Sequence, residues 1–160
     1  MYGLSTSPVG PLPDSGAYVR EGNSLLYLFL KRAVLGRWLP AGGMDVMLSP
    51  VAFAGWAGLM VTGLNLIPAA QLDGGHVAYA ILGARARYLT LALAAAMLVL
   101  GFAWEGWFIW SVLIFVLGSR PQVVQDAVTP LARRQQLAAV LMLLLAVLLF
   151  PPVPLAIVQP

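Results

Sequence analysis

The stretch NLIPAAQLDGGH, residues 65–76, places polar side chains inside an otherwise apolar sequence. No charged residue lies between Val46 and Leu72, and Asp73 then appears, followed by two glycines and by His76, the only histidine of the chain. A carboxylate near the centre of a bilayer is disfavoured by roughly 2.5–3.5 kcal/mol, so such residues usually serve ions, protons or substrates. Asp73 is therefore the first candidate for a functional residue.

The backbone within this stretch is predicted to interrupt a helix. Pro68 has no backbone N–H to donate to a helix, and Gly74 and Gly75 permit backbone angles and close approaches that a side chain would block. Non-helical backbone at membrane depth is tolerated only where it is buried in protein or lines a cavity. We therefore expect Asn65 and Asp73 to face an interior site.

The composition of the chain indicates an integral membrane protein. Hydrophobic residues make up 61% of the sequence and charged residues 9%, whereas soluble domains contain about 25% charged residues. The mean hydropathy is +0.88. The net charge of +3 comes from basic residues at the ends of apolar stretches, which favours contacts with lipid headgroups over nucleic acid. With no cysteine in the chain, disulfides and thiolate metal sites are excluded.

The apolar stretches predict an all-α integral membrane protein with about four membrane-embedded segments and a helix broken from Asn65 to Gly75. The predicted segments are residues 47–67, 88–103, 108–117 and 135–150. The first is the strongest, because it is uncharged and long enough to cross a bilayer core of about 30 Å. Small residues recur along it at four-residue spacing, which allows another helix to approach closely; these are Ala54, Gly58 and Thr62.

The remaining stretches predict peripheral structure around a membrane domain that covers residues 46–150. Residues 1–23 are expected to form a loop outside the membrane, and residues 151–160 a proline-rich tail. Residues 24–45 predict an interfacial amphipathic helix and a linker, with Ser24 as a possible helix cap. Three cations argue against a span there, namely Lys31, Arg32 and Arg37. A polar connector is expected over residues 122–134.

The fixed positions of the stretch resemble the signature N-x-x-P-x-x-x-L-D-G-G of the site-2 proteases, the intramembrane zinc metalloproteases. They are Asn65, Pro68, Leu72, Asp73, Gly74 and Gly75. The resemblance runs over about residues 24–154 and implies a multi-pass protein of a bacterial-type inner or plasma membrane. It also implies that Asp73 is the third zinc ligand and that Asn65 helps to place the substrate or the oxyanion. The other motif residues would shape the backbone.

One departure from the family is the absence of H-E-x-x-H, which supplies two histidine ligands and the glutamate that activates water. In relatives this motif lies on an earlier transmembrane helix, so we expect this chain to be the carboxy-terminal half of such a protease. The resemblance then implies zinc as the cofactor of the complete protein. It implies three partners: the amino-terminal H-E-x-x-H helices, a transmembrane protein substrate and the lipid bilayer.

Alternative interpretations remain for each polar residue. Asp73 is a metal ligand, a helix cap or both, and Asn65 is either a substrate-positioning residue or an amide that satisfies the backbone at the break. If a helix begins near Leu72, His76 lies on the same face as Asp73. His76 would then be hydrogen-bonded close to the metal site rather than being a ligand, because the family ligand set does not include its position.

Two functions from different classes follow. In the first, the chain is part of a zinc metalloprotease that cleaves transmembrane substrates with metal-activated water. In the second, the chain is a catalytically inactive membrane protein of the same fold that binds helices or acts as a scaffold. A transporter with a broken helix is less favoured, because residues 65–75 are not repeated elsewhere in the chain.

Overall fold

The computed structural model describes residues 1–13, 16–119 and 131–158. The helices are α1 (Tyr2–Ser5), α2 (Leu25–Leu35), α3 (Pro50–Asn65), α4 (Asp73–Leu82), α5 (Ala86–Leu100), α6 (Gly106–Gly118) and α7 (Arg133–Leu149). The strands are β1 (Val9–Pro11), β2 (Tyr18–Glu21), β3 (Met44–Val46) and β4 (Leu155–Val158). The chain divides into two compact units, Met1–Thr62 with Leu148–Pro160, and Gly63–Val147. Most of the predicted connector, residues 122–130, lies outside the described residues.

The chain is mostly helical, but two small antiparallel sheets correct the all-α prediction. In one sheet β1 pairs with β3, and in the other β2 pairs with β4. Residues 1–23, expected to be a loop, therefore contain a short helix and two strands, and the proline-rich tail contributes β4. Strands of three or four residues are too short to show a clear alternating pattern, and their partners are distant in sequence.

The first unit has its own apolar core, formed by Leu4, Tyr27, Leu39, Val46, Ala52 and Trp56. The indole nitrogen of Trp56 donates a 2.9 Å hydrogen bond to the carbonyl oxygen of Gly22, which fixes α3 to the end of β2. The predicted cap is confirmed, since the Ser24 hydroxyl accepts a hydrogen bond from the backbone nitrogen of Tyr27 at 3.2 Å. This cap satisfies one of the free amides at the start of α2.

Lys31 lies at the centre of a buried charge cluster in the same unit. Its Nζ is 3.0 Å from Oε1 of Glu21 and 3.1 Å from Oδ1 of Asp45, and the side chain is fully buried. The Tyr27 hydroxyl donates to the same Glu21 oxygen at 3.3 Å. Burial, and secondarily the charge of Glu21, raises the pKa of Tyr27. Of the cations in the predicted interfacial helix, Lys31 is therefore buried within this unit, whereas Arg32 is exposed.

The second unit is built on a hairpin of α5 and α6. Gly101 lies against the ring of Phe108, where a Cβ would overlap the aromatic carbons. The Ser111 hydroxyl donates a 2.7 Å hydrogen bond to the carbonyl oxygen of Ala94, which joins the two helices near their middle. Trp107, whose side chain is fully buried, anchors the start of α6. These two helices correspond to the predicted segments 88–103 and 108–117.

The structure supports fewer membrane-spanning segments than the four that the sequence predicts. In the described part of the chain, one helical stretch is long and apolar enough to cross a bilayer: residues 73–100, which include α4, a 3₁₀ turn at Gly83–Arg85, and α5. Gly83 has a φ of +56°, so the helical backbone is interrupted there. Within residues 47–67, the strongest predicted span, only Pro50–Asn65 is helical; this is α3, which has 16 residues and is about 24 Å long. The prediction of four membrane segments is therefore not confirmed.

Candidate metal and substrate site

The predicted break in the helix lies between α3 and α4. α3 ends at Asn65 and α4 begins at Asp73, so the two polar motif residues stand at the two ends of the connection. Residues 66–72, here called the signature loop, form consecutive turns. The backbone hydrogen bonds in these turns are Ile67 to Leu64 at 3.2 Å, Ala69 to Ile67 at 2.7 Å and Leu72 to Ala69 at 3.2 Å.

The two motif glycines allow the signature loop to lie directly on the first turn of α4. A Cβ on Gly74 would overlap the carbonyl group of Leu66, and a Cβ on Gly75 would overlap the carbonyl oxygens of Ala69 and Ala70. A side chain at either position would push backbone away from backbone, and no rotamer change can relieve such a clash. The glycines therefore fix the position of the loop against the helix that begins at Asp73.

Ala70 has a backbone conformation that is rare for a residue with a Cβ. Its φ is +52°, in the left-handed region, where a non-glycine residue costs of order 1–3 kcal/mol. The residue is almost completely buried, at 1% exposure. Its backbone nitrogen donates a hydrogen bond of 3.1 Å to the hydroxyl oxygen of Thr90 on α5. A contact from outside the motif thus holds the strained point of the loop.

The side chains of Asn65, Asp73 and His76 are all exposed in the described structure. In this chain by itself they do not face an interior site, because the loop turns its apolar residues inward and leaves the polar ends outside. The N-cap of α4 is Leu72, with no side-chain cap bond, so Asp73 is not the cap. Its carboxylate instead occupies the first turn, where the helix dipole favours negative charge. His76 follows one turn later on the same face.

These residues alone do not fit a catalytic zinc ion. Such a site needs three protein ligands and an open fourth position, and within residues 1–13, 16–119 and 131–158 no three His, Cys, Asp or Glu side chains come together. One exposed carboxylate at the end of an ordered loop does fit a single ligand that completes a site with groups from another segment. A cavity of about 560 Å³ borders Ala70 and Thr90, but neither Asn65 nor Asp73 lines it.

Thr90 was missed by the sequence analysis. It is the only serine or threonine between Tyr88 and Ala103, so an isolated hydroxyl in an apolar helix was the available signal. Such a hydroxyl usually bonds within its own helix, and its partner here lies in a loop 20 residues earlier. Sequence spacing alone does not reveal that contact.

The comparisons with known proteins agree with the motif. The family model described as peptidase family M50 matches residues 41–104, which include the whole signature loop. Over 98% of the chain there is 35% identity with an Arabidopsis thaliana protein named "Probable zinc metalloprotease EGY2, chloroplastic". The chain belongs to the site-2 protease family, peptidase family M50. The family is one of membrane-embedded zinc metalloproteases.

Other relatives of this site-2 protease chain give the same result. A protein of Oryza sativa subsp. indica, "Probable zinc metalloprotease EGY3, chloroplastic", is 36% identical over 73% of the chain. The chain spans 28% of the length of the Arabidopsis relative and 21% of the length of the rice relative. No solved structure matches the chain. Both names state a chloroplast location, so the comparisons give no support to a bacterial-type inner or plasma membrane.

Proposed function

We propose that this chain supplies the third zinc ligand and a substrate-positioning loop to a site-2 protease that cleaves transmembrane proteins. The ligand is Asp73, and the two histidine ligands come from an H-E-x-x-H segment outside these 160 residues. The observation that supports this most directly is that Asp73 is exposed in the first turn of α4, where Leu72 and not Asp73 is the N-cap residue. Within the described residues, no hydrogen bond or ion pair occupies its carboxylate.

Each motif residue has a separate task in this proposal. The packing of Gly74 and Gly75 against the loop fixes the backbone next to Asp73, so little backbone freedom is lost when its carboxylate binds a metal. Asn65, at the other end of the loop, presents its amide to the substrate backbone or to the oxyanion. His76 lies one helical turn beyond Asp73 and hydrogen-bonds near the metal site. Zinc, when bound, supplies a Lewis acid that makes its water nucleophilic at neutral pH.

The test is cleavage of a transmembrane substrate by the protease that contains both this chain and an H-E-x-x-H segment. Asp73→Asn keeps the shape of the side chain but replaces a charged ligand by a neutral amide, so the cleavage rate should fall by orders of magnitude. Asn65→Ala should lower kcat while zinc is retained. Glu105→Gln is the matched control, because Glu105 is an exposed carboxylate in the turn between α5 and α6.

The second candidate, an inactive scaffold of the same fold, is favoured by one observation, the lack of three clustered ligands in the described residues. It predicts that Asp73→Asn and Glu105→Gln have equal and small effects on every function of the protein. The proteolytic proposal predicts that only Asp73→Asn abolishes cleavage. Equal cleavage rates for Asp73→Asn and Glu105→Gln in purified protease would contradict it.

A further inference from the structure

We infer that Thr90 is a positioning residue for the site: its hydroxyl fixes the signature loop and, through the loop, the start of α4 at Asp73. The inference deepens the proposed function, on which its catalytic consequence rests. The geometric part can be measured on this chain alone. The hydrogen bond of Thr90 is to the backbone of the loop and not to Asn65 or Asp73, so its effect is exerted through backbone that it holds in place.

The first step is the hydrogen bond to a strained backbone position. Ala70 has a φ of +52° and is buried, so the loop has no solvent to satisfy its amide at that point. Thr90 Oγ1 accepts from that amide at 3.1 Å. An alanine in the left-handed backbone conformation persists only where the surrounding structure imposes that conformation. The Thr90 hydroxyl is one such determinant, and it comes from a different helix.

The second step concerns the orientation of the Thr90 hydroxyl. Gly118 of α6 lies against Thr90, since a Cβ on Gly118 would overlap Cγ2 of the threonine and lie 3.8 Å from the Cβ of Ala70. The methyl group of Thr90 is therefore confined by α6, and a β-branched side chain has few rotamers available in a helix. With the methyl group held on one side, the hydroxyl is directed to the loop on the other.

The third step connects the loop to the proposed ligand. The carbonyl oxygens of Ala69 and Ala70 lie against Gly75, so closely that a Cβ there would overlap both. Gly75 is two residues from Asp73 in the first turn of α4. A shift of the backbone at Ala70 is therefore passed to the first turn of α4, which alters where the Asp73 carboxylate stands relative to Asn65.

A matched control exists in the same pair of helices. Ser111 of α6 makes the other buried hydroxyl contact, a 2.7 Å hydrogen bond to the carbonyl oxygen of Ala94 on α5. This hydrogen bond stabilises the hairpin and does not involve the signature loop. A variant that removes the Ser111 hydroxyl therefore reports the general effect of losing a buried α5–α6 hydrogen bond, while Thr90 variants report the effect on the loop.

The experiment compares Thr90→Val, Thr90→Ser and Ser111→Ala by NMR amide hydrogen exchange and amide chemical shift in the 160-residue chain in detergent micelles. Thr90→Val keeps the shape but removes the acceptor, so the exchange rate of the Ala70 amide should rise about tenfold and its chemical shift should change. Thr90→Ser restores the acceptor and should return both towards the wild-type values. Ser111→Ala should leave the Ala70 amide unchanged.

The same variants in the protease that contains an H-E-x-x-H segment test the catalytic consequence. Thr90→Val should lower kcat about ten- to a hundredfold with little change in KM, and Thr90→Ser should recover most of the loss. Unchanged Ala70 exchange in Thr90→Val, or an equal rise throughout α5 and α6, would overturn the positioning role. If Asp73→Asn retains full activity, the proposed function fails, while the exchange measurement still decides whether Thr90 holds the loop.

Discussion

Gly74 packs so closely against the carbonyl group of Leu66 that a methyl group on Gly74 would overlap the carbonyl oxygen. Because this contact is between backbone atoms, no flexible side chain can move aside to relieve the overlap. We therefore expect Gly74→Ala to displace the signature loop and to lower the free energy of unfolding by about 1–3 kcal/mol or more. Denaturant unfolding of the chain in detergent micelles measures this loss.

The control is Gly58→Ala in α3, where a Cβ would meet no atom within 4 Å. Alanine is the better helix former by about 1 kcal/mol, so this substitution should be neutral or stabilising in the isolated chain. Equal stability changes for Gly74→Ala and Gly58→Ala would mean that the contact between loop and helix is looser than the structure shows.

Removing the cation from the buried Lys31 cluster should strongly destabilise the first unit. Lys31→Met leaves the carboxylates of Glu21 and Asp45 buried without their cation. Removing one partner of a buried ion pair costs about 3–5 kcal/mol, and thermal unfolding measures the effect. Arg32→Met, one residue away but exposed, should change stability by about 0.5 kcal/mol or less. A small effect at both positions would contradict the assigned burial.

The raised pKa of Tyr27 predicts that stability decreases at alkaline pH. Burial and the Glu21 carboxylate favour the neutral phenol in the folded chain. Its contribution is fully present below the ordinary tyrosine pKa of about 10, and is lost as the pH rises above that value because the unfolded chain ionises first. Unfolding curves at pH of about 8 and about 11 test this in wild type and Tyr27→Phe.

Tyr27→Phe should remove that part of the pH dependence and also lose about 0.5–1.5 kcal/mol from the hydrogen bond to Glu21. Tyr2→Phe is the control, because Tyr2 is 75% exposed. If the alkaline loss of stability is the same in wild type and in Tyr27→Phe, another group is responsible for it.

The break in the helix could be predicted because it follows from local chemistry. Features that depend on contacts between residues distant in sequence could not be predicted. Pro68 and the paired glycines are enough to place the end of α3 and the start of α4 within a few residues. The burial of Lys31 could not be predicted, because its two carboxylate partners lie 10 and 14 residues away, on strands too short to recognise. The exposure of Asn65 and Asp73 depends on which face of the loop packs inward, and no residue pattern specifies that face.

The isolated chain should bind zinc weakly, because the described residues offer Asp73 and His76 without a third clustered ligand. Metal analysis after dialysis should find far less than one zinc ion per chain. About one tightly held zinc per chain, lost in His76→Ala, would show that the ligand set is assigned wrongly and that this chain forms a site by itself.

The zinc content of the protease that contains both this chain and an H-E-x-x-H segment tests the central claim most directly. Metal analysis after extensive dialysis should find about one zinc ion per protease in wild type and in Glu105→Gln, because a catalytic site holds one ion through three protein ligands. Asp73→Asn should lose most of it while the helical content is kept. Retention of about one zinc ion in Asp73→Asn would contradict the assignment of Asp73 as a ligand, and the motif would then be a structural break between two helices.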